Sequence, residues 1–297
     1  MARAPVPPER RFYAQDRAVG RFGMRVFEPR LMDAPHWHGH VEGNLMEGAS
    51  MTYLFGEEVI VVPEGRVALF WANVPHQLVR VDATGEAPLR LTNLYLPLDR
   101  FLLMPHLAAL QVGVVSGGIA LVPPEAVGAA EMARWFRDYR SGDVERVEVL
   151  HMELNAALRR ALLGGVAWLR APAATAGPGR PLGSPRMGQV VAMLRAVMEN
   201  LDRPLANADV ARVTGLNATY AQALFAEAMR TPLKRFIIRM RLLRARALLL
   251  DGGLAIATVA ERSGFGSVSQ FYDHFTRGFG TTPQAMRRAY EEGRPVA

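Results

Sequence analysis

Three histidines and a glutamate stand close together in the first third of the chain. His36, His38 and Glu42 belong to the run His36-Trp37-His38-Gly39-His40-Val41-Glu42, and His76 follows Val74-Pro75. Two residues apart on a strand, His36 and His38 point to one side, Glu42 shares that side, and His76 can reach in from a neighbouring strand. Three imidazoles and one carboxylate suit Zn²⁺, Mn²⁺ or Fe²⁺. The same residue types also serve as hydrogen-bonded residues of a β-core or as polar walls of a ligand pocket. That second use is the expectation adopted, so no metal and no cofactor is assigned. No further acid–base or nucleophile constellation accompanies the four, and no catalytic residue is assigned either.

Aromatic residues lie beside the histidines. Trp37 sits within the first run, and Phe70 and Trp71 come shortly before His76. Sugars stack their C–H surfaces on such rings while imidazoles fix the hydroxyls. Alternation along a strand sends Phe70 and Trp71 to opposite faces, so at most one of them lines a pocket directly. The expected effector-binding set is His36, Trp37, His38, Trp71 and His76.

Short β-like runs must position these groups. Residues 23–27, 51–55, 58–61, 67–71 and 89–96 are rich in Val, Leu, Phe, Tyr and Thr, with Gly56-Glu57 and Pro63-Glu64-Gly65 as turns between them. Several short strands with regular turns predict a small barrel or jelly roll. After Pro123-Pro124 two helical stretches are expected, from Glu125 to Tyr139 and from Val144 to about Leu169; Val147, Leu150, Leu154, Leu158 and Leu162 form an apolar stripe on the second. Residues 171–186, A-P-A-A-T-A-G-P-G-R-P-L-G-S-P-R, cannot build a core and read as a flexible linker.

The C-terminal part carries the most specific pattern. Ile256, Val259, Ala260 and Ser263 recur at helical spacing, with a small residue where another helix must approach. Gly264 ends that helix, Phe265 plugs the turn, and Phe271, Phe275 and Phe279 form the inner face of a second helix. This is a helix-turn-helix reading. It occurs twice: Val210-Ala211-Arg212-Val213-Thr214-Gly215-Leu216 repeats Val259-Ala260-Glu261-Arg262-Ser263-Gly264-Phe265, and Arg230-Thr231-Pro232 echoes Thr281-Thr282-Pro283. Thr231-Pro232 opens a long helix ending at Asp251, whose apolar stripe includes Phe236, Ile237, Met240 and Leu243 and whose arginines 235, 239, 241, 244 and 246 are expected mostly outside. Such motifs present the start of their second helix to the major groove, which selects Asn217, Thr219, Gln222 and Ala223 in the first copy and Ser267, Val268, Ser269, Tyr272 and Asp273 in the second.

The tandem motif resembles the DNA-binding domain of the AraC family of transcriptional regulators. Ala260, Gly264, Phe265, Ser267, Phe271, Phe275, Gly280 and Pro283 match the family's second-motif signature. Ala223 and Asp273 depart from it, since family members often carry Arg there. The N-terminal region is similar to the family's sensor domain, and the H-x-H-x-x-x-E arrangement is the one in which the cupin fold carries metal ligands. The resemblance implies an α+β chain: a cupin-like effector-sensing domain over residues 1–170 with a helical dimerisation element, a linker over 171–186, and an all-α double helix-turn-helix domain over 187–297. The implied function is sequence-specific regulation of transcription, as an activator of sugar-utilisation genes responding to a small effector such as an α-galactoside. The implied partners are double-stranded operator DNA, RNA polymerase and a second copy of the chain. A metal-dependent cupin enzyme fused to a DNA-binding domain is the alternative.

Charge agrees with a polyanionic partner for the C-terminal part. Of the formal +7 on 297 residues, residues 187–297 hold 15 Lys+Arg against 9 Asp+Glu and residues 1–186 hold 20 against 19. There is no cysteine, so thiol chemistry and disulfides are excluded. The first residues lack an apolar signal-like region and no 18-residue apolar run occurs, so a cytoplasmic location without a membrane partner is expected.

Overall fold

A computed structural model describes residues 21–173, 183–251 and 253–292. The Pro- and Arg-rich start of the chain and residues 174–182 of the expected linker lie outside the described residues. The chain divides into two compact units, one running from Phe22 to Gly188 and the other from Gln189 onward.

The first unit is mainly β. Its strands are β1 (Gly23–Phe27), β2 (Val41–Glu47), β3 (Ala49–Phe55), β4 (Glu58–Val62), β5 (Val67–Trp71), β6 (His76–Ala83) and β7 (Arg90–Leu96), followed by helices α1 (Leu98–Leu103) and α2 (Ala108–Val115), strand β8 (Ile119–Val122), helices α3 (Ala129–Ser141) and α4 (Val144–Gly164), and strand β9 (Ala167–Arg170). Two sheets form, with strand orders β1-β7-β2-β5-β8-β9 and β4-β3-β6, and every pairing is antiparallel. Of the expected barrel or jelly roll, the structure shows two antiparallel sheets and no closed barrel: the outer strands β1 and β9 of the larger sheet do not pair with each other. Met46, Met51, Tyr53, Phe55, Ile60 and Phe70 pack in one buried cluster drawn from strands of both sheets.

Helix α4 is shorter than its apolar stripe implies. It stops at Gly164, because Gly165 takes φ +89°, and residues 167–170 turn back as β9 beside β8. Trp168 explains the turn. A Cβ at Gly113 or Gly118 would lie 2.5 or 2.6 Å from its ring, so two glycines make room for the indole. Leu150, Leu154 and Leu158 are buried as the stripe requires, and Glu153 ties α4 to α3 by accepting from Trp135 Nε1 at 2.8 Å and from Arg134. The first of the two helices starts at Ala129 rather than Glu125, after Gly128, whose N–H donates to Glu131 Oε2.

The second unit is helical: α5 (Ser184–Glu199, which begins just before the division), α6 (Asn207–Arg212), α7 (Ala218–Met229), α8 (Leu233–Asp251), α9 (Ile256–Arg262), α10 (Val268–Phe279) and α11 (Pro283–Glu291). The long α8 packs against α7, α9, α10 and α11 and so joins the two copies of the motif. Val259, Ala260, Phe265, Phe271 and Phe275 form the second motif's core. The two turn glycines differ in how much they must be glycine. Both have φ near +70 to +80°, yet a Cβ on Gly215 meets open space, whereas one on Gly264 would collide with the Leu201 carbonyl oxygen and stand 2.8 Å from Arg241 Nε. Of the α8 arginines expected mostly outside, Arg241, Arg244 and Arg246 are half-buried; the Arg241 guanidinium donates to Leu201 O and Arg203 O and holds the segment after α5 in place.

Candidate nucleic-acid interface and histidine cluster

Two short helices, α7 and α10, carry the residues selected for DNA contact. Asn217 and Ser267 are their N-caps: Asn217 Oδ1 accepts from Tyr220 N at 2.9 Å and Ser267 Oγ from Gln270 N at 3.2 Å. Each helix thereby starts with an exposed polar end. Thr219 and Ala223 are exposed on α7, as are Val268, Ser269 and Asp273 on α10, while Tyr272 is half-buried. Helical spacing puts Thr219, Gln222 and Ala223 on one face of α7, and Ser269, Tyr272 and Asp273 on the corresponding face of α10.

Gln222 is less free than its sequence position implies. Its Oε1 accepts from Asn207 Nδ2 at 3.0 Å and its Nε2 donates to Ala218 O at 3.2 Å, so it braces α7 against the start of α6. Asp273 is paired as well. Arg277 Nη2 lies 2.5 and 2.6 Å from its two carboxylate oxygens. Sequence reasoning passed over Arg277, although the i, i+4 spacing of opposite charges on a helix is the signal that identifies it.

The family model for a helix-turn-helix domain matches residues 210–289, which begins in α6 and ends in α11. Over 268 residues the chain is 30% identical to the melibiose operon regulatory protein of Escherichia coli, covering 90% of this chain and 87% of that protein. It belongs to the AraC family. A second relative, the HTH-type transcriptional regulator GlxA of Rhizobium meliloti, is 34% identical over 122 residues, 40% of this chain and 38% of its own length. Among solved structures, ToxT from Vibrio cholerae with an unsaturated fatty acid bound superposes with a TM-score of 0.51 at 14% identity over 90% of this chain and 94% of that chain. The fold is therefore shared with ToxT, and as a member of its family this chain is a DNA-binding transcriptional regulator.

In the regulator's N-terminal unit the histidines gather as their spacing implies, though not on one strand. His36 pairs with His76 through two backbone hydrogen bonds of 3.0 Å in an isolated bridge, His38 stands just before the bend at Gly39-His40 that leads into β2, Glu42 is in β2, and His76 opens β6. His38, Glu42 and His76 are all buried, and His36 and Trp37 are half-buried. His38 Nε2 lies 2.6 Å from Glu42 Oε1; Glu42 Oε2 accepts from Asn44 Nδ2 at 3.0 Å. Burial, followed by the neighbouring His36, pushes the His76 imidazole down to about 3, so it is neutral at pH 7. Burial and the Glu42 charge raise the Tyr53 hydroxyl above its usual range.

The aromatic side of this cluster is not the expected one. Glu42 stands opposite Phe70 on β5 and Tyr95 on β7, so those three share a face. The Phe70 ring is 5.1 Å from His76, with Phe55 stacked on the same imidazole at 5.5 Å. Trp71, opposite Val41, points to the other face, where its Nε1 donates to Gly39 O at 3.1 Å. Trp71 therefore stands on the face opposite Glu42, and it is Phe70 that lies beside the histidines. Strand pairing, which a single sequence does not display, was the missing signal.

Proposed function

We propose that this AraC-family regulator docks α7 and α10 in successive stretches of the major groove of one operator, activates transcription together with RNA polymerase, and is controlled by a small effector bound in the N-terminal unit. The observation that carries the docking is the pair of capped helices with exposed polar starts on a domain of positive net charge, tied by α8. Thr219, Ala223, Ser269, Tyr272 and Asp273 then face base edges, with Asn217, Ser267 and Val268 at the phosphate edge and Gln222 available to adenine when it leaves Asn207.

The effector is a small sugar, an α-galactoside in the first instance. Its support is the relationship to a melibiose operon regulator together with half-buried Trp37 and His36 at the rim of the imidazole cluster formed with His38 and His76. Homodimerisation through α4 is supported by its exposed Val144, Val149, Met152 and Leu163, which leave an apolar strip on that helix. Selection of bound duplexes from random DNA, with and without candidate sugars, tests this reading. One two-box motif whose enrichment changes with a galactoside is expected; uniform enrichment of all sequences contradicts it.

A further inference from the structure

We propose that His36, His38, Glu42 and His76 hold a divalent first-row transition-metal ion that fastens the two sheets of the N-terminal unit to each other. The four side chains each offer a donor atom, and these atoms all lie within 4.8 Å of one another. They come from three places in the fold: Glu42 from the larger sheet, His76 from the smaller one, and His36 and His38 from the segment leading into β2. An ion bridging them adds a further link between the sheets to the shared apolar cluster and to the hydrogen bond from Asn44 Nδ2 to the Tyr53 hydroxyl.

The distances fit with small movements. Four-coordinate bonds of about 2.0–2.2 Å place donors roughly 3.4 Å apart. His38 Nε2 stands 2.6 Å from Glu42 Oε1, closer than that value, and His76 Nε2 stands 3.9 Å from the other carboxylate oxygen, Oε2, so modest side-chain shifts are needed to seat the ion.

A plain hydrogen-bonded cluster accounts for only part of the arrangement. It explains His38 and Glu42. It does not explain His76, whose Nδ1 donates to Val74 O at 3.0 Å and whose Nε2 is therefore a lone-pair acceptor, buried, with no hydrogen-bond partner. Buried acceptors are almost always satisfied, and a metal ion satisfies this one. The Nδ1 bond to a backbone carbonyl is how metal-binding imidazoles are commonly oriented, and Asn44 holds the outer oxygen of Glu42 in the same manner. His38 Nδ1 accepts from His40 N, so its Nε2 carries the proton given to Glu42; for Nε2 to bind the ion that proton moves to Nδ1, which gives up the bond from His40 N and donates instead to His40 Nδ1, 3.2 Å away. Three imidazoles with a single carboxylate select Zn²⁺, Co²⁺, Ni²⁺ or Fe²⁺ over Mg²⁺ and Ca²⁺, which require mostly oxygen donors.

Cobalt tests the site directly. Tag-free full-length protein, stripped with chelator and titrated with Co²⁺, is expected to bind one equivalent with the visible ligand-field bands of a four-coordinate ion, which Zn²⁺ then displaces; Zn²⁺ also raises the melting temperature. Glu42→Gln and His76→Phe should weaken uptake by at least about tenfold, while His274→Ala, in the other unit, keeps it. If the variants do not fold, the wild-type stoichiometry and spectrum decide. A folded wild-type chain that leaves cobalt as the aqua ion overturns the proposal, as does equal uptake by folded Glu42→Gln. Neither result bears on DNA binding, which the same preparations report separately.

Discussion

Arg277 holds the Asp273 carboxylate through one guanidinium nitrogen, 2.5 and 2.6 Å from its two oxygens, one turn along the exposed face of α10. A bare carboxylate at this position would repel DNA phosphates; the pair presents little net charge instead. Asp273→Asn should free the guanidinium and steepen the salt dependence of DNA binding by about one unit of slope, whereas Arg277→Ala should flatten it by about one. Both side chains are well exposed, so the pair stabilises the fold by about 1 kcal/mol at most, and melting temperatures should barely move. Equal slopes in both variants would show that α10 does not face the phosphates.

The two turn glycines should separate cleanly. Gly215→Ala meets no neighbour and pays only for its left-handed backbone, about 1–2 kcal/mol. Gly264→Ala adds a collision with the Leu201 carbonyl that the Arg241 bonds hold in place, and should unfold the C-terminal unit at a clearly lower temperature. Similar melting temperatures would contradict the close approach of the second turn to the segment after α5.

Core substitutions in the second motif follow the same logic. Ala260 is buried in the contact among α8, α9 and α10, and Ala260→Leu should cost about 1–3 kcal/mol through overpacking. Phe275→Ala removes a fully buried ring and should cost roughly 3–5 kcal/mol. Chemical denaturation of the C-terminal unit reads both, and unchanged midpoints would overturn this core.

Much of this was legible before any coordinates. The second motif declares itself because its signals are local: helical spacing of Val259, Ala260, Phe271 and Phe275, and one glycine at the turn. Strand β2 was hidden because a run with Glu42, Gly43 and Asn44 is polar in composition although buried on both faces. Helix α2 was hidden for the opposite reason, since Ala108–Val115 is apolar apart from the buried Gln111 and shows no amphipathic stripe. Trp168 and Leu169 extended the apparent stripe of α4 past Gly164-Gly165, and only the pocket that Gly113 and Gly118 leave for the indole reveals β9. In the histidine cluster the four polar residues followed from spacing, but the choice of Phe70 over Trp71 required the β2–β5 register.

Gln222 braces α7 against α6 and is proposed to read a base as well, and the two roles can be pulled apart. Gln222→Ala should relax preference at one or two base positions, by about 1–3 kcal/mol against the preferred site. Asn207→Ala releases the same amide without removing it and should preserve or sharpen that preference. If both variants lose preference alike, Gln222 acts only by bracing α7 against α6.

The docking of both helices is tested most directly by base-resolved selection from random DNA with the wild type and two variants, Thr219→Ala on α7 and Ser269→Ala on α10. The account predicts a wild-type motif of two boxes about one helical turn apart, with Thr219→Ala altering base preference only in one box and Ser269→Ala only in the other. A motif that neither variant changes, or that both change at the same positions, would contradict it.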